Sequence, residues 1–131
     1  MLPLCFDQGL GVIPWSPLAR GMLAGSRKKG DLTVTARAQN DDYAQKLYDD
    51  PQDWDVVDAV REVASKRDVT MAAVALAWLL GRPGVTAPII GATKLDHLDA
   101  AVRALELELT PEEVARLEAP YRPHAVRGFT G

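Results

Sequence analysis

The sequence predicts an α/β fold built on a parallel sheet, and three observations carry that prediction. Two short apolar runs, Val12 to Trp15 and Val85 to Ile90, each stop at a loop of small and polar residues. Two stretches with helical spacing lie between them, and the order strand, helices, strand is the crossover of a parallel pair. The 131 residues suffice for one domain but fall far short of the roughly 250 that a complete eight-stranded α/β barrel needs.

Along the chain, Leu2 to Gln8 reads as the last turns of a helix, with Gly9 at the place of a left-handed cap. The run at 11–15, bounded by Gly11 and Ser16-Pro17, reads as a parallel strand buried on both faces. Pro14 has no amide to donate, so it belongs near the strand's end or beside an edge. From Ala24 to Asp53 the chain turns polar, with Gly25, Gly30, the basic cluster Arg27, Lys28 and Lys29, and the acidic Asp49-Asp50-Pro51. This stretch is expected to be a long loop with one short helix around Asp41 to Tyr48, serving either as a lid over a ligand or as a mobile insert.

Val56, Val60, Val63 and Ala64 recur at helical spacing between Asp55 and Arg67, giving an amphipathic helix. Thr70 can cap a second, more apolar one over Ala72 to Leu80, which Arg82-Pro83-Gly84 ends. The second strand, about 86–90, follows. A helix from about Leu95 to Leu105 is expected to turn Leu98, Ala101, Val102 and Leu105 to one side. Thr110-Pro111-Glu112-Glu113 is a capping box with proline at the first helical position, and it opens a last helix carrying Val114 and Leu117. Ala119 to Gly131 reads as an irregular tail.

Fifteen basic against eighteen acidic residues give a net charge of -3. No basic field is available to hold a nucleic-acid backbone or an anionic membrane, so neither is expected as a partner. Cys5 is the only cysteine, which excludes an intrachain disulfide and a cysteine-based zinc cluster. It reads as a small buried hydrophobe, and no metal site is expected. No apolar run is long enough to span a bilayer, and Met1 to Asp7 lacks a basic segment followed by an apolar one. A cytoplasmic setting is the expectation.

Ligands of parallel α/β sheets bind at the carboxyl ends of the strands, where loops and helix amino termini present unpaired N–H groups. Both candidate sites fall there. After the first strand, the amides, hydroxyl and guanidinium of Ser16, Leu18, Arg20 and Gly21 could face a pyrophosphate. After the second, Gly91, Ala92, Thr93 and Lys94 combine small residues, a helix amino terminus and a cation, a set suited to phosphate. Plainer readings stand beside both. Ser-Pro-Leu is also a proline-stabilised turn, and Thr93 with Asp96 is also a variant capping box beside a solvated lysine.

Taken together, Gly11 to Gly21, Ala-Leu-Ala-Trp-Leu-Leu at 75–80, Pro88 to Thr93, and Leu107 to Glu113 resemble the carboxyl-terminal portion of the aldo-keto reductase family. The resemblance covers nearly the whole chain. It implies a partial (β/α)8 barrel of the TIM type, namely the last two β/α units with a carboxyl-terminal helix and tail, as a single segment over 1–131. It also implies an NADP (NADPH) cofactor. By the family pattern Trp15 stacks on the nicotinamide; Ser16, Leu18, Arg20 and Gly21 grip the pyrophosphate; and Gly91, Ala92, Thr93 and Lys94 meet the adenosine 2′-phosphate. His97 could reach the adenosine end or stay solvated. Ala100 and Ala101 stand where the family commonly has side chains that contact the adenosine, which loosens adenine recognition. The family's catalytic tyrosine, lysine, aspartate and histidine have no counterpart here, so no catalytic residue is assigned. Tyr121 and His124 could border the substrate pocket.

The resemblance thus implies a fragment of an NADP-dependent oxidoreductase that reduces aldehydes or ketones by hydride transfer and is inactive alone. Its partners would be the nicotinamide cofactor and, in a full-length context, a small carbonyl substrate. One alternative is a non-enzymatic module that binds a nucleotide or a protein partner. Another is a different α/β barrel that binds a simple phosphate ester. Exposed strand edges would invite self-association.

Overall fold

The computed structural model describes residues 1–29, 47–48 and 50–123. Among them are helices α1 (Leu2–Asp7), α2 (Pro51–Arg67), α3 (Met71–Leu80), α4 (Leu95–Arg103) and α5 (Pro111–Glu118), with a 3-10 turn over Ala19–Gly21. Most of the helix expected around Asp41 to Tyr48, most of the suggested lid, and His124 fall outside the described residues.

Local chemistry accounts for the helix ends. Gly9, at φ 63°, closes α1 in the left-handed cap expected of it. Leu10 N–H donates to the Cys5 carbonyl at 2.8 Å and Gly9 N–H to Phe6 at 3.3 Å, which satisfies two terminal carbonyls. Cys5 itself is half-buried rather than fully enclosed. Thr70 Oγ1 accepts from Ala73 N–H at 3.2 Å and caps α3. The capping box of α5 is present in both directions, with Glu113 N–H on Thr110 Oγ1 at 3.3 Å and Thr110 N–H on Glu113 Oε2 at 2.8 Å.

At Asp50-Pro51 the loop expectation fails. Asp50 is the N-cap of α2, its carboxylate accepting from Gln52 N–H at 3.1 Å, and Pro51 occupies the first turn. A proline with no amide to leave unpaired, directly after an acidic cap, starts a helix as readily as it ends one.

The core sits between α2, α3 and α5. Val60, Val63, Ala64, Val74 and Leu117 form one buried cluster, and Met22, Trp54 and Val57 form a second. Fully burying a Val or Leu side chain contributes about 1.5–3 kcal/mol, whereas an exposed ion pair contributes about 0–1 kcal/mol. These clusters therefore hold the three helices together, and the ion pairs around them fix the register. Arg67 forks onto Glu113, Nε to Oε1 at 2.6 Å and Nη2 to Oε2 at 2.7 Å, which joins the end of α2 to the start of α5. At the other end, Glu118 Oε1 accepts from Trp78 Nε1 at 2.9 Å and Arg82 Nη1 at 2.6 Å, joining α3 to α5.

The two apolar runs do lie side by side and parallel, but not as continuous strands. They meet at two bridges, Val12 with Val85 and Trp15 with Ile89. Val12 N–H donates to Gly84, Thr86 N–H to Val12 and Ile89 N–H to Pro14. Two causes interrupt the ladder. Pro14 and Pro88 lack amide donors. Moreover, the first segment advances three residues between bridges and the second advances four, so the second carries one extra residue, a bulge. Exposure follows the same register. Ile13 and Trp15 are exposed while Val12 and Pro14 are half-buried, and in the partner segment Thr86 and Ala87 are exposed in succession at the bulge.

The expectation of burial on both faces is thereby corrected. One face of the pair is covered, and the other leaves Ile13 60%, Trp15 65% and Ile89 52% exposed.

Helix α4 departs from expectation in the same sense. Its inward residues are the small ones, Ala100 and Ala101 half-buried and, just past its end, Ala104 buried, while Leu95, Leu98, Val102 and Leu105 lie exposed. Alanines allow close approach to α3, and the larger stripe is rotated away from that contact.

Candidate functional site

The bridge between Trp15 and Ile89 decides where the two candidate loops emerge. It pairs the last residue of the first segment with the next-to-last of the second, so the turn starting at Ser16 and the loop starting at Gly91 leave the pair at the same end. This is the end at which parallel α/β sheets hold ligands.

The first loop is conformationally unusual. Ser16, Ala19 and Arg20 adopt positive φ angles of 51°, 48° and 53°, and Gly21 follows at 97°. A left-handed conformation costs a non-glycine residue about 1–2 kcal/mol, so the strain of the described chain gathers in this turn, with Asp68 the one other non-glycine example among the described residues. Strain of this kind clusters at ligand-holding positions. Several bonds hold the turn: Ala19 N–H to Ser16 O at 3.0 Å, Gly21 N–H to Leu18 O at 2.9 Å and Ser26 Oγ to Gly21 O at 2.9 Å. The φ of Gly21 favours glycine, and a Cβ there would also displace the Ser26 hydroxyl from its bond to the Gly21 carbonyl. Arg27, read from sequence as part of a polar cluster, is 4% exposed and donates from Nε to the Arg20 carbonyl at 3.1 Å. Sequence reasoning missed this support, and also missed Met22, buried directly after the turn. An apolar residue closely following Gly21 was the available signal.

Ser16, Leu18, Arg20 and Gly21 are all half-buried, while the Trp15 ring stands open to solvent beside them. Gly91, Ala92, Thr93, Lys94 and His97 are all exposed. Nothing lies within 4 Å of where a Gly91 Cβ would sit, so the backbone there is free for close approach by a ligand. The variant capping box at this helix is corrected. The N-cap of α4 is Lys94, with no side-chain cap bond, and Thr93 N–H meets His97 Nδ1 at 3.5 Å instead of Thr93 pairing with Asp96.

Tyr121 lines an apolar cavity of about 510 Å³ together with Pro17, Leu23, Val60, Trp78 and Leu117. Among the described residues no group of three or more His, Cys, Asp or Glu side chains is placed to hold a metal ion. None of the described helices is long and apolar enough to cross a membrane.

Comparison with known proteins gives a consistent result. Residues 1–122 match the model described as the aldo/keto reductase family. A versiconal hemiacetal acetate reductase of Aspergillus parasiticus is 39% identical over 129 residues, a match covering 96% of this chain and 36% of that protein. A probable voltage-gated potassium channel subunit beta of Oryza sativa is 36% identical over 124 residues, covering 90% of this chain and 37% of that one. Among solved structures, a thermostable aldo-keto reductase crystallised with the inhibitor epalrestat superposes with a TM-score of 0.59 at 23% identity, over 92% of this chain and 33% of that chain. The chain thus spans about a third of the length of the relatives it matches.

Proposed function

The chain belongs to the aldo/keto reductase family, and on that premise we propose that it is the cofactor-binding part of an NADP-dependent aldo-keto reductase that converts aldehydes or ketones to alcohols by hydride transfer. The observation that carries the proposal is the parallel bridge of Trp15 to Ile89, which supports a single nucleotide lying across both loops. In this arrangement the exposed Trp15 face receives the nicotinamide. The turn from Ser16 through Leu18, Arg20 and Gly21, its backbone held by bonds to the Ser16, Leu18 and Gly21 carbonyls, grips the pyrophosphate. Gly91, Ala92, Thr93 and Lys94 meet the 2′-phosphate, where the Lys94 charge and the first amides of α4 favour an anion. His97, one turn into α4, borders the adenosine end.

When bound, the nicotinamide supplies the hydride. The described chain offers no tyrosine with a lysine partner at a strand end to protonate the developing alkoxide, and most of the rate enhancement depends on such a donor. The chain alone is therefore expected to bind the cofactor without turning it over. Titration with NADPH should quench tryptophan emission, and the quench should be clearly smaller in Trp15→Phe, where only Trp54 and Trp78 report, by energy transfer. Unchanged emission on saturation, or NADPH oxidation with an aldehyde at ordinary enzyme rates, would overturn the proposal.

A second reading, a module that binds nucleotide or a protein partner without catalysis, is favoured by the similarity to the rice channel subunit. It predicts the same quench. The two separate when the missing part of a reductase is supplied, since only the first expects turnover to appear.

A further inference from the structure

The chain that follows the strained turn doubles back onto it. Gly25, at φ 72°, reverses the direction, and its N–H donates to the Met22 carbonyl at 3.0 Å. A Cβ at 25 would come within 2.8 Å of Met71 Sδ, so the reversal is made close against α3. The next two residues then return to the turn. Ser26 bonds the Gly21 carbonyl through its hydroxyl at 2.9 Å and its N–H at 3.1 Å, and Arg27 Nε donates to the Arg20 carbonyl at 3.1 Å. Of the basic run at 27–29, Lys28 and Lys29 are exposed while Arg27 is 4% exposed. A cation taken that far out of water is held there by what it bonds.

Gly21 N–H on the Leu18 carbonyl at 2.9 Å closes a turn whose two central residues, Ala19 and Arg20, both have positive φ. This is the mirror-image pattern normally filled by glycine, asparagine or aspartate. Neither alanine nor arginine favours it, and a closing bond of the same kind forms equally well in a right-handed turn. The hand of the turn is therefore imposed from outside it. Rotating the Arg20 and Gly21 peptides to the ordinary hand would swing their carbonyls off Arg27 and Ser26. We infer that Ser26 and Arg27 are positioning residues for the cofactor turn, holding the Gly21 and Arg20 carbonyls so that the turn keeps the left-handed form in which it grips a pyrophosphate. The inference rests on the cofactor proposal and adds to it the source of the grip. Arg27 contributes in a second way. A buried cation is screened by salt less than a surface one, so its charge also favours an anion held by the same turn.

The test uses the intact chain and NADPH, with affinity read from the tryptophan quench. Ser26 is exposed, so Ser26→Ala removes one bond without opening a core. It should weaken NADPH binding about fivefold and leave the far-ultraviolet spectrum unchanged. Ser26→Thr, which keeps the hydroxyl, should restore the native affinity. Arg27→Met, which removes a charged donor, should weaken binding at least about tenfold, and Arg27→Lys should recover part of the loss. Should Arg27→Met unfold the chain, the Ser26 series decides alone. A contact that only stabilises the fold would not depend on the hand of the turn, whereas a positioning one does. In an Ala19→Gly background, where glycine accepts positive φ freely, the Ser26→Ala penalty should shrink to under about twofold. A native quench that Ser26→Ala and Arg27→Met both leave at full affinity would overturn the inference and leave the cofactor proposal standing. So would a Ser26→Ala penalty that neither threonine nor the Ala19→Gly background relieves. A native chain with no quench at saturation would sink the cofactor proposal, and this inference with it.

Discussion

The helical side and the bridged side of this molecule use the same kinds of residue to opposite effect. On the helical side, Val60, Val63, Val74 and Leu117 disappear into a shared interior, and even Glu113 and Glu118 are consumed in joining helices. On the bridged side, Ile13, Ile89, Leu98 and Val102, no less apolar, remain in solvent. Periodicity decides that a segment has an apolar face. Only the presence of a neighbour decides whether that face is buried, and on the bridged side the neighbour is not among the described residues.

The sharpest way to break the comparison is to shorten one side chain on the helical side. Leu117→Ala removes the residue through which α5 meets the α2 and α3 interior, and a buried leucine truncation of this kind costs about 2–5 kcal/mol. We expect a loss near the middle of that range, read as a fall in the urea midpoint. A loss under about 0.5 kcal/mol would mean that the α5 contact is not cooperative with the rest.

The joint between α2 and α5 should be sensitive to acid. The Arg67 guanidinium, first, and the Thr110 amide, second, hold the Glu113 carboxyl at about 2. Its folded value lies below the roughly 4.3 of a free glutamate, so its contribution to stability is present above that value and is lost as pH falls toward 2. Glu62, bonded to Lys66 and Arg116, is shifted in the same direction. Urea midpoints should drop across that window, and Glu113→Gln should flatten the drop. Thr110→Ala, which removes one half of the capping box, should cost about 1 kcal/mol at neutral pH. A Glu113→Gln chain with an undiminished acid slope would place the titration elsewhere.

What the sequence made legible divides along the same line. Helix signals were local and mostly held: Gly9 as a cap, Thr70 as an N-cap, and the capping box from Thr110. The parallel adjacency of the two apolar runs was also legible, because crossover geometry allows few alternatives, although they meet at two isolated bridges and not as the expected strands. Three features needed coordinates. Asp50-Pro51 is ambiguous between loop and helix start until its acceptor is seen. The bulge at Thr86 and Ala87 is a property of two segments together. The rotation of α4 onto Ala100 and Ala104, with its leucines outward, inverts the usual inference that the larger apolar stripe faces inward. For the candidate site, the residue types at 15–21 and 91–94 were readable from the sequence, whereas the left-handed strain at Ser16, Ala19 and Arg20 was not.

That strain provides a prediction of opposite sign. Ser16 holds φ 51°, and glycine adopts this region freely. Ser16→Gly should therefore raise stability by about 0.5–1 kcal/mol, the relief of a left-handed residue less the entropy that glycine adds to the unfolded chain. If the hydroxyl helps to hold a pyrophosphate, the same change should weaken NADPH binding, measured by the Trp15 quench. Greater stability with unchanged binding would leave the turn strained for some other purpose.

The smallest expected effect is the most discriminating for the comparison itself. Leu98 is 47% exposed on α4, and a surface substitution away from caps and cores usually moves stability by no more than about 0.5 kcal/mol. Leu98→Ala in the isolated chain should fall within that limit, because alanine is the better helix former and little contact is lost. Fused to the remaining barrel units, the same substitution should behave as a core truncation and cost about 2 kcal/mol or more. The difference between the two settings measures what the bridged side gains from its neighbour. If Leu98→Ala is equally mild in both, α4 presents its leucines to solvent even in the longer protein, and the bridged side is a finished surface after all.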